Sequence, residues 1–232
     1  MVKYKEIAIQ ILKKINRKEY SDKLPSETEL TKEFNASRNT VRKAIKLLSD
    51  QGIVISIQGS GSYIGSSLKK KGTVMNLSNK LGFQSLNFKN LHSKVVDFSI
   101  INADEHLCNC LNCQINDKIY HIKRLRYSGR NLICLEYSYY LKKYVPYLSK
   151  EICQKSIFKF IKENYNLSVT SSKEFFTLHN FTQEEKNLIN KPINTSIQLE
   201  EINIVSNNPF NYSRTMYVND DISFYCYINN KL

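Results

Sequence analysis

The stretch that most constrains this chain is residues 24–64, where two capped helix starts are followed closely by a glycine-broken pair of β runs. Leu24-Pro25-Ser26-Glu27-Thr28-Glu29 carries a capping box, in which Ser26 accepts from the backbone three residues on and Glu29 reaches back. A helix therefore begins here and runs to about residue 34, where Asn35-Ala36 breaks it. Ser37 is the N-cap of a further helix to about residue 51, with Val41, Ala44, Ile45 and Leu48 as its apolar stripe and Gly52 as its stop. Upstream, Tyr4, Ile7, Ala8, Ile11 and Ile15 fall on one face of a first helix, with Lys13, Lys14, Arg17 and Lys18 near its C-terminal end. Residues 53–57, Ile-Val-Ile-Ser-Ile, are β-branched. Gln58-Gly-Ser-Gly-Ser62 is a tight turn, and Tyr63-Ile64 starts the return strand.

Three helices, a short helix–helix turn and a hairpin describe a winged helix-turn-helix. The third helix suits DNA reading. Its first turn carries Arg38, Asn39, Thr40 and Arg42. Arg pairs bidentately with guanine and Asn with adenine, and the start of a recognition helix is what meets base edges. Glycines at the hairpin tip let backbone approach a phosphate or the minor groove. Charge agrees: of the net +13, the excess is concentrated in residues 1–71, with 15 Lys/Arg against 7 Asp/Glu. Each feature alone is a common surface feature, but their order makes coincidence improbable.

Leu24-Pro-Ser-Glu27, Ser37-Arg-Asn-Thr-Val-Arg-Lys-Ala44, Leu47-Leu48, Gln51-Gly52 and Gln58-Gly-Ser-Gly61 resemble the signature of the GntR family of bacterial transcription regulators, over about residues 3–64. The resemblance implies an operator-binding domain. It places DNA contacts at Ser26, Ser37, Arg38, Asn39, Thr40 and Arg42, and at Gln58, Gly59, Ser60 and Gly61 in the wing. Thr28 stands where the family often has Arg, so one DNA contact that the resemblance implies is missing, and Asn39 stands where it usually has Thr, with an amide able to read a different base. The resemblance therefore implies DNA binding without fixing the operator.

Residues 64–73, Ile-Gly-Ser-Ser-Leu-Lys-Lys-Lys-Gly-Thr, bury little and read as a linker. The expected division is a DNA-binding domain at 1–65, a linker at 66–74 and a second domain at 75–232. Beyond the linker, residues 94–101 read as a strand and residues 104–111 as a short helix. Residues 119–127 and 132–140 flank the turn Ser128-Gly-Arg-Asn131. Ser156 caps an amphipathic helix to Tyr165, residues 175–178 sit in a strand, and Thr182-Gln-Glu-Glu185 opens a helix with a capping box. A meander follows: residues 197–205, a turn at Asn207-Asn-Pro-Phe210, then strands at 212–218 and 223–228. Strands outnumber helices and join by tight turns, which predicts an α+β fold on a mostly antiparallel sheet.

Arg124 and Arg126 are two apart on a strand and share a face. Side by side, two guanidiniums repel unless an anion lies between them, and a phosphate is a natural occupant. Glu136, on the partner strand, shares that face only in an even register; an exposed Arg pair on a solvated sheet face, with Glu136 as its salt-bridge partner, is the competing reading. Arg124-Leu-Arg126, Glu136, Lys155-Ser-Ile-Phe158, Phe210-Asn-Tyr212, Tyr217 and Asp220 resemble the UTRA effector-binding domain of HutC-type GntR regulators, over about residues 75–228. That resemblance implies a fold similar to chorismate lyase and a small-molecule pocket. It implies phosphate or carboxylate contacts at Arg124, Arg126 and Ser156, with Ser78 as a further phosphate ligand. It also implies pocket roles for Glu136 and Tyr217. Phe158 replaces a common Tyr, which removes one phosphate hydrogen bond, and Asn211 replaces a common Glu, which favours a neutral polyol over an amine.

His106-Leu-Cys108-Asn-Cys110-Leu-Asn-Cys113 invites a metal reading, but no second pair with ligand spacing accompanies it. If this segment is helical, His106, Cys110 and Cys113 share one face and Cys108 points away. Reduced thiols partly in the core, with no metal, no cofactor and no structural disulfide, are expected, and redox sensing by this cluster is the remote alternative. His121 has odd parity relative to Arg124 and faces the other side. The chain lacks Gly-x-Ser-x-Gly, a Walker loop and His-Glu-x-x-His, which argues against an enzyme. It also has no apolar run long enough to span a membrane and no signal-peptide pattern at its start, so a cytoplasmic location is expected. The expected molecule is a ligand-responsive repressor: a homodimer on an inverted-repeat operator, switched by a small anionic effector with sugar phosphate favoured. A non-phosphorylated carboxylic or amino-acid-derived effector is the alternative. A lyase-like enzyme or a non-specific nucleic-acid binder is more remote.

Overall fold

The computed structural model describes residues 3–64, 73–76, 90–219 and 221–225. Ser78, Asp220, Cys226 and most of the expected linker lie outside them. The chain divides into two compact units, residues 1–81 with 223–232 and residues 82–222.

In the first unit the helices are α1 (Lys3–Asn16), α2 (Glu27–Glu33) and α3 (Arg38–Asp50). Burial of one stripe on each accounts for their packing: Ile7, Ala8 and Ile11 meet Leu30 and the Val41, Ala44, Ile45 and Leu48 stripe around a shared core with Leu24 and Val54. The capping box at Ser26 forms, with the Glu29 carboxylate accepting from the Ser26 N–H at 2.7 Å. Strands β1 (Val54–Ile57) and β2 (Gly61–Ile64) pair antiparallel, Ile57 opposite Gly61. The return strand thus starts earlier than Tyr63. The connection before α2 docks on β2 through Leu24 N–H to the Ser62 carbonyl and Ile64 N–H to the Asp22 carbonyl.

Strand β3 (Thr73–Asn76) opens within the stretch read as linker. The second unit then runs β4 (Leu91–Asn102), α4 (Glu105–Leu111), β5 (Lys118–Ser128), β6 (Asn131–Leu141), α5 (Lys150–Cys153), α6 (Ile157–Tyr165), β7 (Ser171–Asn180), α7 (Gln183–Ile189), β8 (Thr195–Val205) and β9 (Asn208–Tyr217). Six of these strands form one antiparallel sheet in the order β4-β5-β6-β9-β8-β7. Strand β10 (Ile222–Tyr225) does not continue the meander; it pairs with β3 in a separate ribbon. The turn expected at residues 207–210 is also shorter, because Asn208 already lies in β9.

Alternation along β5 divides the core. Tyr120 and Ile122 face α5 and α6, joining Tyr140, Cys153, Ile157 and Ile161. On the opposite face, Leu125, Leu135 and Met216 meet α7 through Ile189, while Ile119, Leu141 and Tyr212 meet α4 through Leu107 and Leu111. No helix among the described residues is long and apolar enough to cross a membrane.

Candidate functional site

The first candidate surface is the start of α3. Ser37 caps it, its hydroxyl accepting from the Thr40 N–H at 3.2 Å and meeting the Thr40 hydroxyl at 2.8 Å. The cap leaves Thr40 half-buried and fixes the first turn, from which Arg38, Asn39 and Arg42 project exposed. Arg42 donates through Nε to Glu27 at 2.7 Å, although two-thirds of its side chain stays in solvent. That contact aims the guanidinium before any ligand arrives; Glu27 was named in the Leu24-Pro-Ser-Glu27 motif, but its pairing with Arg42 carried no sequence signal. Lys43 and Lys46 add exposed cations to the same helix. Ser26 is exposed, but its hydroxyl is engaged by Glu29 at 2.7 Å in the α2 cap.

The wing tip is exposed at Gln58, Gly59, Ser60 and Gly61. Gly59 has φ +75° with open space around it, so conformation and not crowding requires glycine. The Ser60 hydroxyl is tied to the Tyr63 hydroxyl at 2.6 Å.

The second candidate is a cavity of about 290 Å³ in the second unit, lined by Leu91, His92, Ser93, Arg126, Gln154, Lys155 and Ser156. It brings together two of the residues implied by resemblance, Arg126 and Ser156. Ser156 is the N-cap of α6 and accepts from the Lys159 N–H at 3.3 Å. An arginine, a lysine and a helix start with outward N–H groups make an electropositive cradle for an oxyanion. His92 carried no sequence signal, and Lys155 entered only as part of the Lys155-Ser-Ile-Phe158 motif with no role of its own, because β4 and the α5–α6 connection meet only through the fold.

Arg124 does not line this cavity. It is 3% exposed and donates to Glu136, to the Cys153 carbonyl at 2.9 Å and to the Lys155 carbonyl at 3.4 Å. Its Nε is buried without a hydrogen-bond partner. The residue therefore struts β5 against the connection that presents Lys155 and Ser156. The register is even, Arg124 directly opposite Glu136, which settles what lies between the two guanidiniums: the chain's own carboxylate. Glu136 accepts from Arg124 and Ser138 on one oxygen and from Arg126, at 3.0 Å, on the other. Burial pushes its carboxyl up, but Arg124 and then Arg126 outweigh this and hold it well below the usual carboxylate range. The resemblance gave Glu136 a pocket role, meeting a ligand hydroxyl or amine; here both its oxygens are engaged by the protein, it is 6% exposed, and it lies behind the cavity lining.

Three further expected pocket residues also lie apart from the cavity lining. Phe158 packs edge-on to Tyr140 and against Phe210, with centroids 6.3 Å away in each case. Asn211 is 1% exposed and is used by the sheet, donating to the Tyr139 carbonyl and accepting from Asn203. Tyr217 is buried in β9 opposite Cys134. Ser78 lies outside the described residues. His121 does face away from Arg124, with Nδ1 3.1 Å from Asp97.

The cysteine expectation is corrected in one respect. Helix α4 ends at Leu111 and left-handed Asn112 turns the chain, so Cys113 leaves the Cys110 face and meets Cys108. Among the described residues no group of three His, Cys, Asp or Glu is placed to hold a metal.

Comparison with known proteins decides the family. Residues 3–64 match the model of bacterial regulatory proteins, gntR family, and residues 88–223 match the UTRA domain. This chain belongs to the GntR family. It is a DNA-binding transcription regulator with a UTRA effector domain, and the family is one of regulators, not enzymes. The HTH-type transcriptional regulator YydK of Bacillus subtilis is 30% identical over the whole of both chains. Its crystal structure superposes with a TM-score of 0.83 over 99% of this chain and 100% of that one, at 31% identity. The mannosyl-D-glycerate transport/metabolism system repressor MngR of Escherichia coli is 32% identical, over 95% of this chain and 93% of its own. The chain has a two-domain α+β architecture, a GntR helix-turn-helix followed by an antiparallel UTRA sheet, and its structural neighbours are GntR regulators.

Proposed function

We propose that this GntR regulator is a cytoplasmic homodimeric repressor of an inverted-repeat operator, and that a small anionic effector, by preference a sugar phosphate, changes its operator affinity. The observation that carries the reading is the cavity where Arg126, Lys155 and the capped start of α6 converge. A phosphate monoester has enough acceptor oxygens to engage a guanidinium, an ammonium and helix N–H groups together. Arg126 and Ser156 are the proposed ligand contacts. Arg124 and Glu136 act behind them, holding Lys155 and Arg126 in place.

On the DNA side, Arg38, Asn39 and Arg42 read base edges, with Ser37, Thr40 and the wing at Gln58 to Gly61 on the backbone. Such binding weakens steeply with salt through phosphate contacts. The effector shifts operator affinity only by as much as it distinguishes the two states. Dimerisation is supported by edge strand β7 and its neighbour, where Phe175, Leu178 and Ile197 are 54%, 77% and 43% exposed. An apolar sheet edge is a place where two copies pair symmetrically.

The test is operator binding by fluorescence anisotropy, with inorganic phosphate, a hexose phosphate and the parent hexose added in turn. Arg126→Ala is expected to bind operator normally and to ignore hexose phosphate, whereas Arg38→Ala is expected to lose operator specificity. An unaltered effector response in Arg126→Ala would remove the cavity from the proposal.

A carboxylate effector is the second reading. It is favoured by MngR, whose named system handles a carboxylated glycoside, and by the fit of a guanidinium to a planar carboxylate. Glycosyl glycerates in the same assay separate the two.

A further inference from the structure

The end of α4 holds a feature that neither operator reading nor the anion cavity uses. After Leu111 the backbone turns left-handed at Asn112, φ 48°. The Asn112 N–H and the Cys113 N–H, the latter at 3.3 Å, both donate to the Cys108 carbonyl. The bond from Cys113 is the six-to-one link of a Schellman cap, whose two end side chains commonly touch. Here both ends are cysteines. Cys113 Sγ donates to Cys108 Sγ at 3.9 Å, and both residues are half-buried at the margin of the α4 core. Cys110 is turned elsewhere, 3.7 Å from His106 Nε2, and Cys134 and Cys153 are fully buried in other parts of the sheet core.

We propose that Cys108 and Cys113 form a reversible dithiol–disulfide site, oxidised by a small disulfide of the glutathione class. The cap aligns the two side chains before any oxidant arrives. Closing the gap from 3.9 Å to the about 2.05 Å of a disulfide asks for side-chain rotation, while the cap's two backbone bonds stay in place.

The chemistry is an exchange in two steps. One protein thiolate attacks a sulfur of the oxidant; the oxidant's S–S bond breaks and one small thiolate leaves. The other protein sulfur, also as thiolate, attacks the mixed disulfide and expels the second small thiolate. The two protein protons end on the two released thiols, and two electrons have passed from protein to oxidant. Burial, and after it the contact with Cys108, lifts the Cys113 thiol to about 11. Thiolate is therefore scarce at neutral pH, and the rate rises as pH is raised. The bond ties one helix end to itself and spans no two elements, so fold and operator binding survive it. In a reducing cytoplasm such a bond is transient, as redox-responsive pairs are.

The test is the full chain incubated with excess oxidised glutathione at about pH 8.5, where thiolate is more abundant, then alkylated and mapped by tandem mass spectrometry. Cys110→Ser and Cys113→Ser variants run alongside. A Cys108–Cys113 linkage is expected in the parent and in Cys110→Ser, reversed by dithiothreitol. Cys113→Ser is expected to keep a glutathione adduct on Cys108. Lasting adducts or free thiols at both positions in the parent, or linkage of either to another cysteine, would overturn the proposal.

Discussion

Replacing Glu136 by Gln should cost stability before it touches ligand response. The change is nearly isosteric, so no cavity opens. It removes the single negative charge between Arg124 and Arg126, whose exposures are 3% and 9%. One carboxylate oxygen holds Arg124 and Ser138 and the other Arg126, so two buried guanidiniums lose their counter-charge at once. Breaking a buried ion pair by removing one partner costs about 3–5 kcal/mol. For a unit of this size that corresponds to a melting temperature lower by about 6–20 °C. Differential scanning calorimetry of the full chain at pH 7 measures it. In an Arg126→Met background only Arg124 is stranded, so the same change should cost less, with a coupling of about 1–3 kcal/mol. If Glu136 instead served the effector, the melting temperature would stay within about 2 °C of the parent and only the effector concentration for half response would move. That result would refute the counter-ion assignment.

Three other outcomes are expected. Gly59→Val forces a β-branched residue to φ +75°, costing about 1–2 kcal/mol of local strain; operator affinity should fall while the effector response of the remaining complex is kept, as anisotropy titration would read. Ser156→Ala removes the α6 cap and should lower stability by about 1 kcal/mol, seen in the urea midpoint, and weaken hexose phosphate binding in calorimetry. Burial opposes ionisation of Glu185, but the Thr182 N–H, His179 and Tyr137 hold its carboxyl below the usual range. A carboxyl lowered on folding contributes stability that is complete above the unfolded value and lost as pH falls through the folded one. The urea-midpoint gap between the parent and Glu185→Gln should therefore narrow from pH 7 to pH 3, and a constant gap would contradict the assignment.

The winged helix was legible almost residue by residue. Ser26 with Glu29, Ser37, and Thr182 with Glu185 all cap the helices that their spacing announced, because a cap is a bond between neighbours in sequence. The parity of His121 against Arg124 held for the same reason, since alternation along one strand needs no partner. The destination of residues 223–225 was not legible. An isolated β run says that it pairs, not with what, and β10 chose β3 over the sheet. Helix α5 is a single short turn, too brief for periodicity to reveal.

The candidate site divides along the same line. The sequence alone determined that this chain has a helix start equipped to read DNA, and that two arginines share a strand face. Tertiary structure alone decided what those arginines do. Hairpin register put Glu136 between them, and the α5–α6 connection took Arg124 as a strut, leaving Arg126 for the cavity with Lys155 and Ser156. Register and packing join residues far apart in the chain, and a local pattern carries no information about which distant group will arrive to neutralise a charge.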